Sequence, residues 1–265
     1  MVTVPGQDAA MKKGAKVVDL FCGAGGLSEG FRKAGCEIVA AVDHDPDAVK
    51  TYSYNHPNTH IICRDIRKVT IKDIFEPLNL SSDDIDIIIG GPPCEGFSTV
   101  GYRRPDDPRN TLFDEFIRIV SSVMPKAVVI ENVVGLLSME KGRVVEKVKE
   151  ALEALDYKVK MVVLNAADYG VPQLRYRVFF LGLNNGPSPS APVPTHRPKS
   201  PQQLLFPYNQ SKYYLTVEDA ISDLPPLHAG EGKEVSDYLF PPKTEYQNCL
   251  LYTSPSPRDL STPRM

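Results

Sequence analysis

The sequence predicts an α/β protein: a doubly wound, Rossmann-like, mostly parallel sheet, followed by the start of a small irregular second domain. Three observations predict it. Short apolar runs of strand length alternate with segments of helical period. A glycine-rich bend directly follows the first of these runs. Proline divides the chain, with 10 of the 24 prolines in residues 1–182 and the other 14 in the last 83 residues, which therefore read as loops with short ordered pieces.

The expected strands are Lys16–Phe21, Glu37–Val42, His60–Cys63, Ile85–Gly90, Ala127–Glu131, Lys158–Leu164 and Arg177–Leu183. They are short, β-branched and almost continuously apolar, as strands buried on both faces must be. Thr111–Met124 has helical period, with Leu112, Phe113, Phe116, Ile117, Val120 and Met124 on one side. Gly142–Leu155 does the same with Val144, Val145, Val148, Leu152 and Leu155. The sequence contains no internal repeat. In such a sheet, ligands bind at the carboxyl ends of the strands.

Composition narrows the function classes. The 265 residues carry a net charge of −3, with 42% hydrophobic and 24% charged residues, which is ordinary globular composition. No apolar run approaches the ~20 residues of a membrane helix, and residues 1–14 lack the apolar core of a secretory leader. No membrane partner is expected. The five cysteines, Cys22, Cys36, Cys63, Cys94 and Cys249, are odd in number and scattered, without a CxxC pair. That pattern predicts no metal site and a reduced, cytoplasmic setting, in which a special cysteine is special for its reactivity. Cys36, Cys63 and Cys249 read as inert filler.

The bend after the first strand is Cys22-Gly23-Ala24-Gly25-Gly26-Leu27. Glycines let the chain turn sharply and let a ligand approach the backbone, and the following helix start offers N–H groups. A dinucleotide fingerprint requires glycine at position 28, where Ser28 stands. Asp43, followed by His44, closes the second strand about 20 residues after the bend, the place of a ribose-binding acid. Asp65, followed by Ile66, closes the third. Helix caps are the plain alternative for both acids. Two such acids beside a glycine bend, without a basic cluster, favour a nucleoside lacking phosphates. A cationic adenosine derivative such as S-adenosylmethionine fits better than a dinucleotide.

The fourth strand runs into Gly90-Gly91-Pro92-Pro93-Cys94-Glu95-Gly96-Phe97-Ser98. Proline cannot continue a central ladder, so Cys94 sits on a stiff turn at a strand's carboxyl end, where a nucleophile belongs. Its thiol needs nearby positive charge or N–H donors to ionise. The following loop carries Arg103, Arg104 and Arg109, placed either to close over a phosphate backbone or to be solvated surface.

Four motifs in order, Asp19-Leu20-Phe21-Cys22-Gly23-Ala24-Gly25-Gly26, Gly91-Pro92-Pro93-Cys94-x-x-Phe97-Ser98, Glu131-Asn132-Val133 and Gln173-Leu174-Arg175-Tyr176-Arg177, resemble the cytosine-C5 DNA methyltransferases. The resemblance is strong over residues 16–182 and weaker through Thr216–Leu227. It implies a sheet of the S-adenosylmethionine-dependent methyltransferase type, with S-adenosylhomocysteine as product. It implies a catalytic cofactor-binding domain over 16–183 after a flexible 1–15, a linker and the beginning of a target-recognition region over 184–250, and a disordered or appended tail over 251–265.

The chemistry explains these residue types. Cytosine C5 is too weak a nucleophile to take a methyl group directly, and a thiolate added at C6 makes it enamine-like. By resemblance that thiolate is Cys94. Glu131, at the end of its strand, matches the glutamate that contacts N3 and the exocyclic amine. Arg175 and Arg177 match arginines that hold the base, the carboxylate and the cysteine loop. They alternate on an extended segment and are expected to point the same way. The plain alternatives for these groups are a helix cap at Glu131 and surface charges at the arginines. On the cofactor side, Phe21 resembles the residue stacking near adenine, Asp43 the ribose-binding acid and Asp65 the acceptor of the adenine amine. Gly23, Ala24, Gly25, Gly26, Leu27, His44, Ile66, Pro93 and Leu112 line the same implied pocket. His44 stands where the family often has an aromatic residue, and Glu95 where glutamine is common.

The partner implied is double-stranded DNA with the target base flipped out, contacted by Ser98, Arg103, Arg104 and Arg109. A restriction endonuclease acting on the same site fits a prokaryotic modification enzyme. The family's two closing motifs do not follow here, so the chain is expected to be cut within the recognition region. It is also expected to be weakly active or inactive alone, with an incomplete cofactor site and an apolar patch on the sheet. The alternatives are a tRNA cytosine-C5 methyltransferase, a non-catalytic fragment needing a partner chain, and an NAD-dependent oxidoreductase, against which Ser28 and the Pro-Pro-Cys loop speak.

Overall fold

The computed structural model describes residues 14–93, 111–199, 212–233, 237–238 and 240–253. Cys94, Ser98, Arg103, Arg104 and Arg109 lie outside the described residues. The chain divides into two compact units. One comprises residues up to Val163 together with Arg177–Ala191, the other Leu164–Tyr176 together with residues from Pro192 onward. A single cut near residue 183 therefore does not describe the division, because a short excursion between two strands joins the second unit.

The first unit carries a seven-stranded sheet. In chain order its strands are β1 (Lys16–Leu20), β2 (Glu37–Asp43), β3 (His60–Cys63), β4 (Ile87–Gly90), β5 (Ala127–Val133), β6 (Tyr157–Asn165) and β7 (Tyr176–Asn184). Their spatial order is β3-β2-β1-β4-β5-β7-β6. The pairs β1–β2, β1–β4, β2–β3 and β4–β5 are parallel, and β7 runs antiparallel to β5. All seven expected strands are present, with ends that agree to within two residues.

Helices lie on both faces. Helices α3 (Ile71–Phe75), α4 (Thr111–Val123) and α5 (Arg143–Glu153) cover one face. There Ile74, Phe116, Ile119, Val144 and Leu152 pack with Leu20, Ile88, Ile130 and Phe180 in the main core. Helix α1 (Gly26–Lys33) sets Leu27 and Phe31 against Val17, Ile38, Ile87 and Ile89 on the opposite face. Helix α2 (Pro46–Asn55) adds Tyr52 beside Cys22 and Ala41. At about 25 cal/mol per Å² of apolar surface, it is this double burial, more than helix propensity, that holds such short helices.

Some details depart from the sequence reading. Met124 ends α4 in left-handed backbone (φ 51°) and is 40% exposed, so it leaves the apolar face assigned to it. Strand β5 continues to Val133, which places Glu131 inside the strand, not at its end or at a helix cap. Cys63 is exposed, because β3 is an edge strand.

In the second unit, β8 (His196–Arg197) and β9 (Lys212–Tyr213) pair in parallel, and α6 (Val217–Ile221) and α7 (Glu245–Thr253) follow. Gln247 is 1% exposed; its carbonyl accepts from the Lys243 and Thr244 N–H groups, and its amide donates to Ser222 Oγ. Helix α7 thus extends into the stretch read as a structureless tail, and Cys249 sits exposed on it.

Candidate functional site

The order of strands reverses between β1 and β4, the switch point at which an open α/β sheet forms its ligand crevice. Both motif loops leave the sheet here: β1 runs into the glycine bend and β4 into Gly91-Pro92-Pro93, with Leu20 and Gly90 in register.

Phe21 opens the bend in left-handed backbone (φ 60°), strained for an aromatic residue. The bend is held from two sides. Asp43 Oδ2 accepts from the Gly23 N–H at 2.8 Å, while its Oδ1 accepts from the Asp45 N–H at 3.0 Å. Asp43 is therefore not the cap of α2; Asp45 is. Gly25, at φ 95°, rests on α2, and a Cβ there would lie 2.5 Å from the His56 ring. Ser28 is fully buried and donates to Asp19 Oδ2 at 2.6 Å. This explains the serine where a dinucleotide fingerprint has glycine.

The other acid behaves differently. Asp65 caps a short 3-10 turn and is gripped by the Arg67 guanidinium, whose hydrogen bonds hold its carboxyl down to about 2. Ile66 is 4% exposed and packs within the main core. His44 is exposed beside Asp43, with Nδ1 3.4 Å from Oδ1. Leu112 packs half-buried against the main core.

On the other side of the switch point, Glu131 and Arg177 form an ion pair with Nε–Oε1 at 2.8 Å. Register explains it. Val133 faces Arg177 across the β5–β7 ladder, so Glu131 and Arg177 are diagonal neighbours on one face. Both side chains are about one-quarter exposed, at 25% and 23%, open enough to meet a ligand. Gly91 lets the Pro-Pro turn approach this carboxylate, since a Cβ there would lie 3.3 Å from Glu131 Oε2. The turn is fastened by Asn132, whose Nδ2 donates to Pro92 O at 2.9 Å.

Arg175 does not share the strand of Arg177. Strand β7 begins at Tyr176, and Arg175 lies exposed in the preceding turn with its N–H bonded to Asn165 Oδ1. Sequence reasoning passed over Asn132, Gly91, Asp19 and Tyr52 as site-building residues. The signal present was polar side chains within nearly continuous apolar runs.

Fold and site together define a Rossmann-like sheet with a carboxylate–arginine pair beside a Pro-Pro turn. The sequence profile of the C-5 cytosine-specific DNA methylases matches residues 15–252. Type II methyltransferase M.DdeI of Desulfomicrobium norvegicum is 45% identical over 236 residues, covering 87% of this chain and 53% of that protein. M.AgeI of Thalassovita gelatinovora is 43% identical over 245 residues, covering 89% and 57%. A solved prophage-encoded E. coli protein, described as a DNA modification methyltransferase, superposes with TM-score 0.56 at 35% identity, over 64% of this chain and 47% of that one. The chain belongs to the C-5 cytosine-specific DNA methylase family. It spans about half the length of the two relatives. Among the described residues no helix is long and apolar enough to cross a membrane, and no cluster of potential metal ligands occurs.

Proposed function

We propose that this chain carries the catalytic half of a DNA cytosine-C5 methyltransferase of the prokaryotic modification type. The observation that carries the reading is the Glu131–Arg177 pair set against the Asn132-fastened Pro92-Pro93 turn at the switch point.

The bend fits S-adenosylmethionine. Asp43 uses two of roughly four acceptor positions on the backbone, leaving others for ribose hydroxyls. Phe21 supplies an aromatic face, and Pro93 and Leu112 apolar contact. Asp65 serves the adenine amine only with acceptor capacity that Arg67 leaves free. When bound, S-adenosylmethionine supplies the methyl group as a sulfonium leaving-group donor.

The residues of this chain do the rest. Cys94 follows the stiff Pro92-Pro93 turn and adds as thiolate to C6 of a flipped-out cytosine, forming a carbon–sulfur bond that makes C5 nucleophilic. Glu131 holds a proton at N3 and accepts from the exocyclic amine, so the ring does not carry the negative charge of the adduct. Arg177 keeps the Glu131 carboxylate aimed, and Arg175 contributes to holding the base. Loss of the C5 proton and departure of Cys94 restore the aromatic ring. Duplex DNA is held through phosphate contacts from Ser98, Arg103, Arg104 and Arg109, and a restriction endonuclease of the same site is the matching partner activity.

Incubation of the chain with methyl-labelled S-adenosylmethionine and either duplex DNA or tRNA tests the reading. Label is expected in DNA cytosine. Label in tRNA alone would transfer the assignment to RNA, and no label in either with full cofactor binding would overturn it.

A further inference from the structure

Behind the glycine bend lies a hydrogen-bond chain with no part in the chemistry above. Asp19, on β1, is 0% exposed. Its Oδ2 accepts from Ser28 Oγ at 2.6 Å, and Ser28 Oγ lies 2.7 Å from Tyr52 Oη. Asp19 Oδ1 is buried and has no hydrogen-bond partner among the described residues. One buried carboxyl thus joins β1, the first turn of α1 and the middle of α2. These are the elements that shape the bend from beneath.

Helix α1 needs such a hold. Its cap position, Gly25, has no side chain to cap with and stands in left-handed backbone. Asp19 satisfies the first turn from the core side instead. Tyr52 completes the support, because its ring and that of His56, 4.5 Å apart, form the surface on which Gly25 rests.

We propose that Asp19 is a positioning residue for the cofactor bend, latching it through Ser28 and Tyr52 into the shape that receives the nucleoside ligand. The identity of that ligand rests on the function proposed above; the latch itself does not.

The surroundings make the latch proton-dependent. Among the described residues, the titratable groups facing Asp19 are Asp43 at the end of β2, Cys22 in the bend and Tyr52 on α2, each of which becomes negative on losing a proton. Glu29, Arg32 and Lys33 of α1 pair with one another in solvent. Desolvation, opposed by the Ser28 bonds and aided by Asp43, pushes the Asp19 carboxyl up to about 7. The extra proton fits on Oδ1 without displacing any hydrogen bond. When the bend opens to water, Asp19 returns toward its ordinary value of 3.8, so the closed bend binds the proton more tightly than the open one. Raising pH between these values therefore favours opening, by about tenfold per pH unit.

The test uses the ligand-free 265-residue chain, with carbon-13 carboxyl NMR and site-resolved amide exchange. One aspartate carboxyl is expected to titrate near pH 7 and to vanish in Asp19→Asn. Exchange of residues 22–28 is expected to rise with pH by about tenfold per unit beyond the intrinsic change, and to lose that excess in Asp19→Asn. Ser28→Ala is expected to speed exchange of the bend, and Ser28→Thr to restore it. An Asp19 midpoint near the ordinary aspartate value, or exchange in Ser28→Ala that rises equally across β1, β4 and β5, would overturn the latch. S-adenosylmethionine titration of the same samples tests the ligand reading separately.

Discussion

Replacing Asn132 by alanine separates the Pro-Pro turn from the strand that carries Glu131. Two hydrogen bonds go, Nδ2 to Pro92 O and Val133 N–H to Oδ1, both 2.9 Å. Val133 is 38% exposed, so its N–H rehydrates, at a net loss of about 1 kcal/mol. Pro92 is buried. Its carbonyl is left without a donor, at a cost of about 2 kcal/mol. The expected destabilisation is about 3 kcal/mol, measured by urea unfolding with unchanged slope. Activity should fall further than stability alone explains. The turn leads directly into Cys94, and a nucleophile misplaced by about 1 Å costs on the order of a hundredfold. Single-turnover methyl transfer, run where the variant remains folded, reads this. A rate within about twofold of wild type would refute the idea that Asn132 sets the nucleophile loop.

Three further outcomes are expected. Glu131→Gln should lower methyl transfer by about a hundredfold or more, as loss of a transition-state contact does, while circular dichroism stays unchanged; retained activity would remove Glu131 from the chemistry. Asp43→Asn should weaken S-adenosylmethionine binding by about tenfold, one charge-assisted hydrogen bond's worth, read by calorimetry, with unaltered affinity counting against the ribose assignment. Asp19 titrates near 7 folded and 3.8 unfolded, so folding stability should decline as pH rises between these values, by about 4 kcal/mol in all. Unfolding curves between about pH 5 and 8 should show this slope in wild type and not in Asp19→Asn. The strongly lowered carboxyls, Glu29, Asp65 and Asp73, titrate at about 2 and lie below this window.

The sheet was legible because buried parallel strands advertise themselves as continuous β-branched runs, and Ile87–Gly90 or Glu37–Asp43 need no context to be recognised. Glu131 and Arg177 were legible as residues but not as a pair, since their contact depends on the antiparallel register of β5 and β7. Asn132 and Pro92 are 40 residues apart, and Ser28 and Tyr52 are 24 apart. Such partnerships leave no periodic trace. Asp65 illustrates the converse. Its position at a strand end matched an adenine-binding acid, but nothing in the pattern showed that the neighbouring Arg67 shares its oxygens. Arg175 looked paired with Arg177 by spacing, but the strand starts between them. The start of the expected tail at residue 251 looked structureless, although Gln247 anchors a helix that runs to Thr253.

The central claim is that the sulfur of residue 94 bonds to a cytosine ring. Incubation of the chain with S-adenosylmethionine and a duplex containing 5-fluorocytosine, whose C5 carries fluorine in place of the proton that must leave before the cysteine is released, tests this directly, because even a slow enzyme accumulates the stalled adduct. A covalent protein–DNA species that depends on the donor, survives denaturing electrophoresis and maps to Cys94 is the predicted result. Methylated DNA without any adduct, or an adduct retained in Cys94→Ser, would contradict it.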